Sequence, residues 1–227
     1  MSMIRRSLRT VLALALCLPL LVSCASSTTA SVPVGCEQAG SPCLQGKATV
    51  ELTTSKGSIT LELDGDAAPV TAGNFLDLVK RGTYNGTVFH RVVRDPVPFV
   101  VQGGDPASSD PATPKSQYGT GSFVDPSTGQ ARFVPLELAF KGEDQPRYGR
   151  VVSNPTELLQ LKLSHERGAL AMARSQAPDS ASAQFYIALK PLPELDGRYA
   201  VFGKVLEGLD VVDAIRQDDT IKTAKVL

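Results

Sequence analysis

Hydrophobic and polar residues alternate in two neighbouring stretches, Val50–Thr53 and Ile59–Leu63. The tripeptide Ser55-Lys56-Gly57 lies between them, and a glycine-containing turn between two runs of period two is typical of a β-hairpin. The pattern therefore predicts that the folded domain begins with two antiparallel strands, each of which has one buried and one exposed face.

Two other segments have helical periodicity. Phe75, Leu78 and Val79 follow an i, i+3, i+4 spacing and predict a helix over Asp66–Lys80, with Pro69 near its start and Gly82 as its stop. Leu209–Arg216 predicts a second helix.

Short apolar runs elsewhere predict further strands, while the Pro-, Ser- and Asp-rich residues 105–117 predict a loop. Many short strands with only two helices favour a mainly all-β fold, an antiparallel barrel whose ends are closed by the helices. The apolar runs are residues 87–93, 99–101, 168–173, 184–189, 200–206 and 221–227.

The N-terminus has the pattern of an export signal. Three arginines precede an apolar run, Val11–Val22, which is too short to span a bilayer as a mature helix. The run ends in Leu21-Val22-Ser23-Cys24, which resembles the bacterial lipobox. We expect a signal peptide over residues 1–23, lipid attached to Cys24, and an extracytoplasmic domain anchored to a bacterial cell membrane. Ordinary cleavage after Ala25 is the alternative.

Residues 24–46 predict a tether between this anchor and a domain over residues 47–227. The first part is small, polar and unpatterned, which is typical of a flexible linker. Cys36 and Cys43 follow as an even pair in an exported protein, so we expect a local disulfide, with two free thiols as the alternative. Their spacing fits neither a two-residue redox motif nor a zinc site.

Charge excludes one class of partner. The full chain has 23 basic and 23 acidic residues, and loss of Arg5, Arg6 and Arg9 with the signal leaves three more acidic than basic groups. A nucleic-acid partner is therefore not expected, because binding to phosphates needs a basic excess. The sequence also lacks a phosphate loop and a Gly-x-Ser-x-Gly elbow.

A series of motifs carries a family resemblance. Residues 89–93 (Phe-His-Arg-Val-Val) and 99–105 (Phe-Val-Val-Gln-Gly-Gly-Asp) resemble the signature of the cyclophilin-type peptidyl-prolyl isomerases. The similarity runs from about Ala48 to the C-terminus and implies an eight-stranded antiparallel barrel capped by two helices. The other matching blocks, in order, are residues 119–121, 167–173, 182–187, 195–197 and 201–205.

The resemblance implies a specific chemistry. Rotation about an X-Pro bond faces a barrier of about 18–20 kcal/mol, because the nitrogen lone pair is conjugated with the carbonyl. A donor aimed at the prolyl nitrogen and an apolar pocket that holds the ring would both favour the twisted form. The resemblance places the catalytic arginine at Arg91, with Gln102 to orient it. No metal or cofactor is expected, and the substrates are proline-containing polypeptides.

The same resemblance implies a substrate pocket. Phe99, Val100, Tyr186 and Leu195 would surround the proline ring, and Ala173, Arg174, Gln184 and Tyr199 would contact the rest of the substrate. His90 and His165 are interpreted as structural or surface residues, since isomerisation needs no proton transfer.

Several positions depart from the family pattern. Arg174 stands where Asn is usual, Glu194 where Trp is common, and Tyr199 where His is usual. Tyr186 replaces a Phe, and Val100 replaces a Met. The retained Arg91, Phe99 and Gln102 favour an active isomerase with altered sequence preference.

Two hypotheses remain at this point. The first is a monomeric isomerase that helps exported proteins fold; the second is a cyclophilin-fold binding module, or holdase, with little isomerase activity. Residues 123–164 form a long insertion with an amphipathic stretch, Glu157–Leu163. That stretch predicts a local strand or helix that covers the barrel, with a docking site for a partner protein as the alternative.

Overall fold

The computed structural model describes Gly35, Cys36 and residues 42–227. The predicted signal peptide over residues 1–23 and the predicted lipidation site Cys24 lie outside these residues. In the described part, no helix is both long and apolar enough to cross a membrane.

Short strands dominate the described residues, as the period-two patterns predict. In chain order they are β1 (Lys47–Thr54), β2 (Gly57–Asp64), β3 (Arg91–Val92), β4 (Val100–Gly103), β5 (Val124–Asp125), β6 (Gln130–Ala131), β7 (Glu137–Leu138), β8 (Arg147–Tyr148), β9 (Ala169–Met172), β10 (Phe185–Ala188), β11 (Val201–Glu207) and β12 (Ile221–Val226).

Eight of these strands form one curled antiparallel sheet in the order β12-β1-β2-β11-β9-β10-β4-β3. Its two outer strands approach each other through a bridge between Val88 and Thr220. Here the Phe89 N–H donates to the Asp219 carbonyl and the Ile221 N–H to the Thr87 carbonyl, both at 2.8 Å. These bonds pair backbone groups that an open sheet edge would expose. The predicted eight-stranded antiparallel fold is confirmed.

Three α-helices occur within residues 42–227: α1 (Pro69–Lys80), α2 (Pro155–Leu158) and α3 (Leu209–Ala214). Helix α1 begins later than predicted, because the Asp64 carboxylate accepts hydrogen bonds from the Asp66 and Ala67 N–H groups and forms a turn there. Helix α3 is also shorter than predicted, and α2 is a single turn inside the insertion that the sequence pattern did not separate from its surroundings.

The main core lies between the inner face of the sheet and α1. Phe75 of α1 packs against Tyr84, Phe185 and Phe202, with ring centroids 4.9, 5.3 and 5.2 Å away. Such aromatic clusters bury large areas and contribute strongly to stability.

The insertion is attached to this core through Glu137 of β7. Ala68 precedes α1 and its side chain has no acceptor for the first N–H groups of the helix. The buried Glu137 carboxylate accepts from the Val70 and Thr71 N–H groups instead, at 3.1 and 2.8 Å. Burial raises the pKa of Glu137 above its ordinary value.

The amphipathic stretch of the insertion is only partly helical. Helix α2 ends at Leu158, and Leu161 then forms a bridge with Phe140 in a small cluster of its own. Leu159 points outward and is 75% exposed. The stretch therefore covers part of the molecule as expected. A helical turn and a β-bridge take the place of the single strand or helix that the pattern predicts.

Two further segments differ in detail from the prediction. The loop over residues 105–117 contains two 3-10 helices, Pro106–Ser109 and Lys115–Gln117. The β-rich residues 87–93 contribute only the two-residue strand β3 and the Val88 bridge.

The predicted disulfide is present between Cys36 and Cys43, with an S–S distance of 1.99 Å. The segment around Cys43 packs on α1: the Leu44 N–H donates to the Pro69 carbonyl at 3.0 Å, and a side chain at Gly73 would collide with the Pro42 carbonyl oxygen. The packed part of the chain therefore begins before the predicted domain boundary at Lys47.

Candidate active site

The candidate site lies on the face of the sheet opposite to the main core. Side chains alternate along each strand, so Phe185 and Ile187 of β10 point into the barrel while Tyr186 and Ala188 point outward. The outward residues form a second apolar cluster. Its buried members are Val100, Ala169, Ala171, Tyr186, Ala188, Leu192 and Val201.

A cavity of about 220 Å³ opens on this cluster. Nine of the ten residues predicted to act on or contact the substrate line it, although they come from four separate regions of the sequence. They are Arg91, Phe99, Val100, Gln102, Ala173, Arg174, Tyr186, Leu195 and Tyr199.

Arg91 lies at the mouth of this cavity on β3, an edge strand. It is directly opposite Gln102 of β4, and its Nη1 donates to the Gln102 Oε1 at 3.3 Å. The guanidinium carbon is 5.8 Å from the centre of the Phe99 ring, so the ring supports the charge from one side. Arg91 is exposed to solvent.

A chain of amide groups holds Gln102 in turn. The Gln102 Nε2 donates to the Gln184 Oε1 at 3.3 Å, and the Gln184 Nε2 donates to the Gly121 carbonyl at 2.9 Å. Because each amide has a partner at both its oxygen and its nitrogen, the acceptor of Gln102 is directed at Arg91. Gln184 is the tenth predicted residue. It does not line the first cavity, but it holds Gln102, which does.

Gln184 lines a second cavity of about 330 Å³, which shares Gln102, Ala173 and Arg174 with the first. The glycine-rich residues 119–122 form one of its walls. The site is therefore two adjoining depressions, one that opens on the apolar cluster and one bounded by polar loops.

Asp105 holds the glycine-rich wall and was not predicted from the sequence. Its fully buried carboxylate accepts from the Gly119 and Gly121 N–H groups at 2.6 and 3.2 Å. It also accepts from the Ala107 N–H at 2.9 Å. An acidic residue directly after two glycines at the end of the signature is the one local signal that could have indicated this role.

Arg174, which stands where Asn is usual, is held by the protein itself. Its guanidinium turns to the protein and donates to the Arg198 carbonyl at 2.9 and 2.6 Å, and to the Ser175 and Gln176 carbonyls at 2.8 and 3.0 Å. It also lies over the Tyr199 ring, 4.8 Å from the centroid. The side chain therefore connects two loops that border the pocket.

The two histidines have different surroundings. His90 is half-buried next to Gly119, and burial lowers its pKa. His165 is buried and bonded to Tyr186 and Asp196, so it is structural but lies directly behind the pocket. Within the described residues, no group of three or more His, Cys, Asp or Glu side chains could hold a metal ion.

Glu194 is exposed in a 3-10 turn, Pro193–Leu195, and only its neighbour Leu195 lines the cavity.

Comparison with known proteins agrees with this geometry. Residues 49–227 match the family model described as "Cyclophilin type peptidyl-prolyl cis-trans isomerase/CLD". The chain belongs to the cyclophilin-type peptidyl-prolyl cis-trans isomerase family.

Curated relatives are named as peptidyl-prolyl cis-trans isomerases. A Synechocystis protein named as a thylakoid lumen peptidyl-prolyl cis-trans isomerase is 39% identical over 201 residues, which are 84% of this chain and 50% of that protein. A chloroplastic isomerase of Arabidopsis thaliana is 38% identical over 82% of this chain and 44% of its own length. A Helicobacter pylori isomerase is 36% identical over 76% of this chain and 82% of its own length. The chain thus spans about half the length of the first two relatives.

Solved structures share the fold. A Cryptosporidium parvum cyclophilin crystallised in the presence of the dipeptide Ala-Pro has a TM-score of 0.57 and 25% identity, and the match covers 79% of this chain and 98% of that one. A cyclophilin from Hirschia baltica has a TM-score of 0.54 and 23% identity over 78% of this chain and 73% of its own, which supports the fold alone.

Proposed function

We propose that this domain catalyses cis-trans isomerisation of X-Pro bonds in polypeptides. The observation that carries the proposal is the guanidinium of Arg91, held by Gln102 and Phe99 at the mouth of a cavity that opens on an apolar cluster. Family membership and the relative crystallised with Ala-Pro support the same substrate class.

The proposed mechanism uses the two devices that rotation requires. The proline ring occupies the cavity between Phe99, Tyr186 and Leu195, which excludes water from one side of the bond. As the bond twists, the nitrogen lone pair leaves conjugation and can accept a hydrogen bond from Arg91. The bond is never broken, so no nucleophile or proton relay is needed.

Isomerisation of a proline tetrapeptide, measured by a protease-coupled assay, tests this proposal. A fragment of residues 32–227 should accelerate the reaction, and the Arg91→Ala variant of it should not. Binding of the peptide without acceleration would favour the alternative function, a binding module or holdase.

We further propose an extracytoplasmic, lipid-anchored location and a role in the folding of exported proteins. The signal pattern that ends at Cys24 supports the anchor, and the Cys36–Cys43 disulfide fits an oxidising compartment. Relatives named for the thylakoid lumen and the chloroplast support a location outside the cytoplasm. An anchored monomer would meet unfolded chains as they leave the membrane.

Membrane fractionation tests the anchor. The wild-type chain should sediment with membranes and carry an acylated Cys24 by mass spectrometry, whereas Cys24→Ala should be released or remain an unprocessed precursor. Wild-type protein recovered in solution with Ala25 or a later residue as its N-terminus would contradict the anchor and leave the enzymatic proposal intact.

A further inference from the structure

A buried histidine links two walls of the apolar cavity. The side chain of His165 is fully buried; its Nδ1 lies 2.7 Å from the Asp196 Oδ1 and its Nε2 lies 2.8 Å from the Tyr186 hydroxyl. Tyr186 belongs to β10, whereas Asp196 directly follows Leu195, which also lines the cavity. The imidazole therefore spans the space behind the pocket.

The backbone strengthens the same link. The His165 N–H donates to the Asp196 Oδ1 at 2.8 Å, and the Leu192 N–H donates to the His165 carbonyl at 2.8 Å. The His165 and Tyr186 rings are nearly parallel, at 12°, with centroids 5.9 Å apart. These contacts restrain both the tyrosine and the turn that contains Leu195.

The direction of each hydrogen bond follows from the groups present. The Asp196 carboxylate can only accept, so the proton of a neutral imidazole lies on Nδ1, and Nε2 is left to accept from the Tyr186 hydroxyl. Burial raises the pKa of Tyr186 well above its ordinary value, which keeps the hydroxyl protonated and able to donate. The hydroxyl is thereby bonded to His165, which does not line the cavity, whereas Tyr186 does.

We infer that the Asp196–His165 pair is a positioning device for the proline pocket, an inference that rests on the proposed isomerase function. It holds the Tyr186 hydroxyl outside the substrate space and keeps an apolar wall at a position where the resemblance expects phenylalanine. His165 contacts no substrate atom and acts through Tyr186.

A double-mutant cycle tests the inference by titration with the Ala-Pro dipeptide. His165→Asn removes the acceptor of the Tyr186 hydroxyl while retaining a donor near Asp196, and should weaken dipeptide binding about tenfold. In a Tyr186→Phe background the same substitution should have a much smaller effect, since no hydroxyl is left without a partner. Equal losses in both backgrounds would overturn the positioning role.

Two controls separate this inference from instability and from the proposed function. Val212→Ala removes apolar contacts in α3, and should lower the melting temperature without changing dipeptide affinity. Imidazole ¹⁵N spectra need no substrate. The wild type should show His165 as one Nδ1–H tautomer, and Tyr186→Phe should keep it because Asp196 still accepts from Nδ1, whereas Asp196→Ala should lose that preference. A mixed tautomer in the wild type would contradict the inference. The double-mutant cycle could show the expected coupling between His165 and Tyr186 while the wild-type protein fails to accelerate isomerisation. That outcome would contradict only the proposed catalysis.

Discussion

Arg91 and Gln102 face each other across β3 and β4, and the arginine Nη1 lies 3.3 Å from the glutamine Oε1. In the next strand pair, Gln102 is opposite Tyr186 of β10. A single cross-strand row thus contains the proposed donor, its support and the wall of the pocket. A shift of one residue in the β3–β4 pairing would turn Arg91 to the other face of the sheet. The same shift in the β4–β10 pairing would do this to Tyr186.

Arg91→Ala should reduce kcat/KM at least about a hundredfold, roughly 2.7 kcal/mol of transition-state stabilisation. The side chain is exposed at the pocket, so the melting temperature should change little. Arg91→Lys should also be impaired, because an ammonium cannot bind Gln102 and substrate in the fork geometry of a guanidinium. Arg150→Ala, at an exposed position outside the cavity lining, is the matched control. Near-normal turnover by Arg91→Ala would refute the role of this residue.

Asp105→Ala should lower kcat/KM about tenfold even though Asp105 does not line either cavity. Loss of the carboxylate leaves the Gly119 and Gly121 N–H groups without their acceptor, and Gly121 holds the amide chain that reaches Gln102. The exposed Asp110 is the control in the same loop, and Asp110→Ala should retain activity. Tetrapeptide kinetics and a thermal melt on each variant check this; unchanged kinetics in Asp105→Ala would exclude the link to Gln102.

Arg174→Lys should raise KM about threefold to tenfold and affect kcat less, because uniform substrate binding is lost when the pocket walls loosen. A single ammonium cannot reach the three carbonyls that the guanidinium bonds or stack on Tyr199 in the same way. Arg198→Lys is the matched control, since Arg198 supplies a backbone carbonyl that the substitution retains. If the two variants have the same KM, the bridging role of Arg174 is wrong.

Glu137 should make stability depend on pH. Its raised pKa means that the folded chain binds the carboxyl proton more tightly than the unfolded chain does. The free energy of unfolding from this group is therefore largest at low pH and decreases as the pH rises above the ordinary value of 4.5. Glu137→Gln has no such proton, so its stability relative to the wild type should increase between about pH 4 and pH 7.

Denaturant unfolding at several pH values measures this difference. The exposed Glu207→Gln should show no comparable slope relative to the wild type. A constant difference between Glu137→Gln and the wild type over the same range would show that Glu137 titrates alike in the folded and unfolded chains.

Much of the fold follows from local patterns. The hairpin β1–β2 was predicted from alternation alone, because one buried and one exposed face require a period of two. Helix α1 was predicted from its spacing to within three residues at its start and ends at the predicted Lys80. The ten residues that the family resemblance indicated all line one of two adjoining cavities.

Tertiary structure alone decided the supports of that site. Glu137 bonds a helix end 67 residues away, and His165 bonds Asp196 across 31 residues. No local period encodes such contacts, because they depend on which elements the folded sheet brings together. The orientation of the Arg174 side chain also depends on tertiary structure. The sequence shows that an arginine occupies this position, but packing against Tyr199 and the Arg198 carbonyl turns its guanidinium toward the protein. Sequence thus determined which residues surround the pocket, and three-dimensional packing determined which of them face the substrate and which hold the others in place.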